Sequence, residues 1–320
     1  VLLATRGRRH PGCAQPQCRA EFAVFAALRQ TWAVAACLLA AGCNHAPASR
    51  ESGVGDDAAA EESLHRAVDV TSRMLDVYRH ARSYTDHAAY VEESVLRGEG
   101  VAHELPYYEI SVALERPNRL RLEFAEALAD AGGGRNGFTI ACDGKLLRAR
   151  LADIPDQMVE NPAPARLAAA HVLADPLIEE KLHAGALGDL FPQLAMLLND
   201  SDADEAAIFP SDAHPRLLDN QQLDGRDCFR VATTHPEGTR VLWIDAESYV
   251  LRRMELPADA ERARIDPDGH YLRLTIRIDF DDVTLDAEIE PGSFALDAPP
   301  GTHRVRRFVL AEGKPAPVAD

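Results

Sequence analysis

Asp200-Ser-Asp202-Ala-Asp204 has the spacing of a metal loop. Carboxylates at alternate positions open the calcium loop of an EF-hand, where oxygen ligands surround a hard cation. The pattern stops there. Glu205 occupies the place of the glycine that lets such a loop turn, and Ser211 the place of the closing bidentate glutamate. The stretch therefore reads as a solvated acidic loop, and Asp266-Pro-Asp268-Gly269 as a turn in which Asp side chains bond nearby backbone. The twelve histidines include no HExxH pair or other metal-ligand spacing. No Gly-x-Ser-x-Gly elbow occurs. Gly132-Gly-Gly134 is followed by Arg135-Asn136 rather than by the Lys-Ser of a phosphate loop. The carboxylates are too many and too unpatterned to single out an acid/base pair. The residues give no signal for an enzyme, a cofactor or a metal.

Cysteine chemistry says more. Trp32 to Gly42 is an apolar run of mostly small and aliphatic residues behind Arg29. It is too short to span a bilayer and has the length of a signal-peptide core. Leu39-Ala40-Ala41-Gly42-Cys43 resembles the bacterial lipobox, with Ala40 standing where Leu is commoner. That likeness implies a diacylated Cys43 as membrane anchor, with residues 1–42 removed as signal. The first Met is Met74, so Val1 or Val24 is read as a start. On the second reading residues 1–23, with Cys13 and Cys18, are not translated. Residues 43–62 are the lipidated Cys and a small, polar, acidic tether. An exported compartment permits a Cys142–Cys228 disulfide, and two buried thiols fit equally well.

Net charge narrows the partners. From residue 43 onward 29 basic residues face 50 acidic ones, a net charge of −21. Such a body is repelled by nucleic acid, which is excluded as a partner.

The elements that could position a site are mostly strands. Leu64, Ala67, Val68, Thr71, Met74, Leu75, Tyr78 and Ala81 recur at helical spacing, which predicts an amphipathic helix over 63–82 with Ser63 as N-cap. Strands follow over 83–96, 108–114, 119–124, 138–141 and 145–151, with Asp143-Gly144 as a hairpin dipeptide. A helical insert is expected over 166–199, in three short helices. Strands resume over 216–223 and 227–234 across Asp224-Gly225. Val241-Leu-Trp243-Ile and Tyr249-Val-Leu251 form a further hairpin round Asp245, and 257–264 is read as a short helix. Over 271–282, Leu272, Leu274, Ile276, Ile278 and Phe280 alternate with polar residues, so one face is buried and one wet. The fold class is α+β: a curled antiparallel sheet, a half-open β-barrel of about ten strands, its concave face covered by helices.

This order resembles the LolA-like superfamily of bacterial envelope proteins. The likeness is carried by Met74-Leu-Asp-Val-Tyr78-Arg-His-Ala-Arg-Ser-Tyr84, Glu115-Arg-Pro-Asn-Arg-Leu-Arg-Leu122, Asp143-Gly-Lys145, Gly225-Arg-Asp-Cys-Phe-Arg-Val231 and Leu242-Trp-Ile-Asp245 with Leu251-Arg-Arg-Met254, and it covers residues 63–310. Nearer still is an uncharacterised lipoprotein family of that superfamily, often followed by a thioredoxin-like domain. Residues 311–320 look like the opening of such a redoxin module. The resemblance implies a non-catalytic domain that binds a lipid or lipoprotein acyl chain. Leu120, Leu122, Phe124, Trp243, Leu272, Leu274, Ile276, Ile278 and Phe280 are the expected lining, and a closed core explains each of them equally. Two other readings stay open: an RseB-like envelope sensor or scaffold acting by protein contact, and the front of a thiol-disulfide oxidoreductase.

Overall fold

Gly144 and Gly225 stand at chain reversals that need left-handed backbone, with φ of +88° and +78°. At the first, Asp143 Oδ1 accepts the N–H groups of Lys145 and Leu146, each at 2.8 Å. At the second, Asp224 shares the positive φ, as a two-residue hairpin requires. The structure, a computed structural model, describes residues 54–98, 100–127, 137–172, 174–183, 191–198, 214–235, 238–257, 266 and 268–310. The expected signal, Cys43, the Gly132–Gly134 and Asp200–Asp204 stretches, the body of the expected 257–264 helix and the 311–320 tail lie outside them.

The described residues hold one sheet of twelve strands. In chain order they are β1 (Ser83–Leu96), β2 (Ala102–Glu115), β3 (Arg119–Glu126), β4 (Gly137–Asp143), β5 (Leu146–Leu151), β6 (Gln157–Pro162), β7 (Arg216–Leu223), β8 (Arg226–His235), β9 (Gly238–Asp245), β10 (Leu251–Leu256), β11 (Tyr271–Leu285) and β12 (His303–Val305). The spatial order is β12-β6-β5-β4-β3-β2-β1-β11-β10-β9-β8-β7. Two meanders of consecutive strands thus meet along the β1–β11 pair. All pairings are antiparallel except β12 with β6. The sheet curls without closing. β7 and β12 are its edges, and β7 guards its edge with Asp219, Asn220, Gln221 and Gln222.

Helices fill the inner face. α1 runs over Val54–His80, so it begins before Ser63 and takes in the end of the expected tether. Ser63 is no cap; its Oγ accepts the N–H of Leu217 at 3.3 Å. Ala67, Val70, Met74, Leu75, Tyr78 and Ala81 form the buried stripe of the helix and its end, while Leu64 and Val68 stay exposed. The insert holds α2 (Ala169–Val172), α3 (Pro176–His183) and α4 (Pro192–Leu198). Arg116 ties two helix ends together. Its guanidinium donates to Ala81 O and Arg79 O after and within the last turn of α1, and to Leu197 O in α4, at 2.8, 3.0 and 2.8 Å.

The expected ten strands omit β6 and β12. After β11 the chain crosses the outer face, where Leu296 packs on Ala141 and Met158. It pairs briefly with β6 and then sends Phe308 into the inner core. This strap puts one segment on both faces of the sheet.

Candidate functional site

Alternation on adjacent strands brings apolar side chains into rows across the concave face. Leu120, Leu122 and Phe124 of β3 stand in register with Leu114, Val112 and Ile110 of β2 and with Cys142, Ile140 and Phe138 of β4. Ile276, Ile278 and Phe280 extend the same core on β11. Met74 and Tyr78 of α1 and Leu194 and Leu197 of α4 pack into it from above, so this part of the cup is filled by the protein itself. An aromatic row crosses it, with ring centroids 5.0 Å apart for Tyr108–Phe124 and 5.3 Å for Phe124–Phe138, and Phe191 edge-on at 6.3 Å.

Three of the nine predicted lining residues do not join that core. Trp243 lies on the other face, in a separate cluster with Cys228, Ala232 and Val241. Arg230 and Arg253 flank its ring at 4.6 and 5.8 Å, and Nε1 donates to Glu255 at 2.7 Å. The reason is that β9 is buried on both faces over its last six residues, so its sequence carries no alternation to choose a side. Leu272 is 58% exposed. It sits near the start of β11, beside the far end of β1. Leu274 is buried outside the main cluster. Cys142 and Cys228 are both free, buried thiols in different clusters on opposite faces, so no disulfide joins them. Burial raises the pKa of both, which makes them poor nucleophiles.

A carboxyl group is sunk in the inner core. Asp86 lies on β1 between Tyr84 and Ala88 and faces the same way. Its Oδ1 accepts the N–H of Val112 at 3.0 Å. Its Oδ2 accepts the Tyr84 hydroxyl at 2.9 Å and Gln193 Nε2 of α4 at 3.1 Å. Burial raises its pKa from 3.8 to about 7 against those three hydrogen bonds. The Tyr78 ring packs at a 43° tilt against Tyr84, centroids 5.4 Å apart, and its hydroxyl accepts the N–H of Leu251 at 3.2 Å. The cluster therefore joins α1, α4 and both meanders, and nothing in the sequence marks Asp86 apart from other strand acids.

An unfilled space remains on the same side of the sheet. A pocket of about 230 Å³ opens under α2 and α3, over β4, β5 and β6. Its apolar walls are Ile140, Leu147, Ala149, Val159, Val172 and Ile178, and the strap residues Arg306 and Arg307 border it. None of the nine predicted lining residues touches it. Its volume is just below the roughly 300–1,000 Å³ of ordinary ligand pockets, so it suits one short chain rather than several. Among the described residues no three His, Cys, Asp or Glu side chains converge to hold a metal, and no helix is long and apolar enough to cross a membrane.

The arrangement defines a class: a half-open antiparallel barrel with helices seated in its concavity and an apolar pocket beside them. No family model and no curated protein matches the chain. Similar solved structures include a DUF1329 family protein from Desulfovibrio piger, at 12% identity and a TM-score of 0.31, covering 73% of this chain and 97% of that one. A LolA superfamily protein from Nitrosomonas europaea is similar at 12% identity and a TM-score of 0.27, covering 72% and 97%. A domain named for outer membrane lipoprotein sorting, from Vibrio parahaemolyticus, follows at 11% identity and 0.26, covering 73% and 97%.

Proposed function

We propose that residues 63–310 form a non-catalytic cell-envelope lipoprotein domain that holds a lipid or lipoprotein acyl chain, with Cys43 as its lipid anchor. The single observation that supports this is the pocket walled by Ile140, Leu147, Val159 and Ile178 on the concave side of an open sheet. Each methylene moved from water into such a space contributes about 0.8 kcal/mol. Titration with the neutral dye Nile red, with mass spectrometry of lipid extracted from the purified protein, tests the reading. Saturable uptake is expected, and Val159→Trp should abolish it by filling the pocket while the protein keeps its fold. No dye uptake and no co-purified lipid would make the interior a closed core. The anchor is tested separately: Cys43→Ser should move the protein from the membrane to the soluble fraction.

Exposed Val101, Leu105 and Leu272, near the far ends of β2 and β11 that flank β1, favour a second reading, an envelope scaffold acting by protein contact. On that reading Leu105→Ser and Leu272→Ser abolish in vivo crosslinks to an envelope partner and leave dye uptake unchanged.

A further inference from the structure

We propose that the pocket under α2 and α3 takes the chain of a single-chain anionic amphiphile, whose carboxylate or phosphate is received by Arg306 and Arg307. This rests on the reading of the pocket as an apolar ligand site and adds the charge of the ligand. Among the described residues the two guanidinium groups have no carboxylate partner.

In a chain of formal charge −17, three arginines border the pocket. Arg148 is committed to Asp143 and Glu160, at 3.4 and 3.0 Å. Arg306 is paired with no carboxylate among the described residues. Its Nη1 donates to the Glu160 carbonyl at 3.1 Å and to Asn161 Oδ1 at 3.3 Å, both uncharged acceptors. Arg307 makes no hydrogen bond or ion pair among the described residues, although acids outnumber basic residues across the chain. The one acid on the pocket wall, Asp175, turns both oxygens to backbone. Oδ1 accepts the N–H of Leu177 at 3.0 Å, and Oδ2 the N–H of Phe308 at 2.9 Å. Its charge is thereby held at the start of α3, and the same bond pins the strap residue next to Arg307. His171 accepts the N–H of Ala168 at Nδ1, 3.0 Å, so in its neutral form the proton is on Nε2, a further donor beside the pocket. The floor is apolar and its border is cationic with donors to spare. That pairing matches an aliphatic chain with an anionic end, and guanidinium forks bind carboxylate and phosphate alike.

Calorimetric titration of the full chain with octanoate, octanol and octyl phosphate at pH 7.5 tests it. Octanoate is expected to bind at least tenfold tighter than octanol, as a charge-assisted hydrogen bond requires. Arg307→Ala and Arg306→Ala should each remove most of that advantage and leave octanol binding as it was. Arg307→Ala is the safer variant for folding, because that side chain makes no hydrogen bond or ion pair among the described residues. Affinity should rise about fourfold per methylene from hexanoate upward and then level off as the pocket fills. Tighter binding of octyl phosphate points to phospholipid-derived ligands, and tighter binding of octanoate to free fatty acids; either supports the proposal. Equal binding of octanol and octanoate would overturn the anionic end and leave the apolar site standing. Binding of none of the three would overturn both.

Discussion

Asp86 is buried, and its hydrogen-bond partners among the described residues are all uncharged, so folding favours its protonated form. Its carboxyl titrates near 3.8 when solvated and at about 7 in the core. Between those values the folded chain keeps a proton that the unfolded chain has lost. Stability from this group is therefore greatest below pH 4, falls as pH rises to about 7, and is level above that, a change on the order of 4 kcal/mol. Gln193 fits the protonated state: its buried Oε1 has no hydrogen-bond partner among the described residues, and turning the amide would offer it to an Asp86 O–H. Asp86→Asn supplies a permanent N–H donor there. Urea unfolding at pH 4.5, 6 and 8 should find the variant near wild type at the lowest pH and several kcal/mol more stable at the highest. Parallel pH curves for the two proteins would show that Asp86 does not titrate in this window. Trp243 makes a different prediction, from the face it occupies. Trp243→Ala removes the ring between Arg230 and Arg253 and should cost about 3–5 kcal/mol in unfolding. Because the ring is on the outer face, Nile red uptake should persist at temperatures where the variant is folded.

Among the elements, α4 depends on a residue far from it in the chain. The last carbonyls of a helix lack intrahelical donors, and Arg116 in the β2–β3 turn supplies donors to α1 and α4 together. Arg116→Ala should lower stability by about 1.5–3 kcal/mol. Hydrogen exchange should quicken in α4 and at the end of α1 more than in β2 or β3. Arg116→Lys should rescue little, because an ammonium has no planar fork to reach both helices. Which elements the sequence discloses follows from how they are buried. β11 is legible because its inner row is apolar and its outer row polar, though Leu272 continues the pattern past the point where anything covers it. The Asp-Gly hairpins are legible because their backbone demand is local. β9 misleads, since covering both of its faces removes the period. β6 and β12 go unseen for another reason: β6 ends in Pro162, and β12 is three residues held only by a distant parallel neighbour. The pocket is hidden for the same cause, because β4–β6, α2, α3 and the strap meet there only after folding.

At the scale of the whole molecule, the chain could fold as two units. β1–β6 and β7–β11 are each meanders of neighbouring strands, and among the described residues the β1–β11 seam alone joins them into one sheet. The core argues for one unit. Tyr78 of α1 packs against the Tyr84 ring in the first meander and accepts a hydrogen bond from Leu251 in the second. Leu122 and Leu242, one from each meander, belong to the same buried cluster. Removing either half would therefore expose the apolar stripe of α1 to water. Ile278 tests this from the seam, where it is fully buried between Tyr90 of β1 and Met254 of β10. Ile278→Ala should cost about 2–5 kcal/mol. Denaturation can be followed by far-UV circular dichroism, which sees both meanders, and by Trp243 fluorescence in a Trp32→Phe background, which sees the second. If the seam and the shared core make one cooperative unit, the two probes keep a common midpoint and shift together in the variant. Midpoints that separate would mean that each meander holds itself together and that α1 is the lid of one rather than the keel of both.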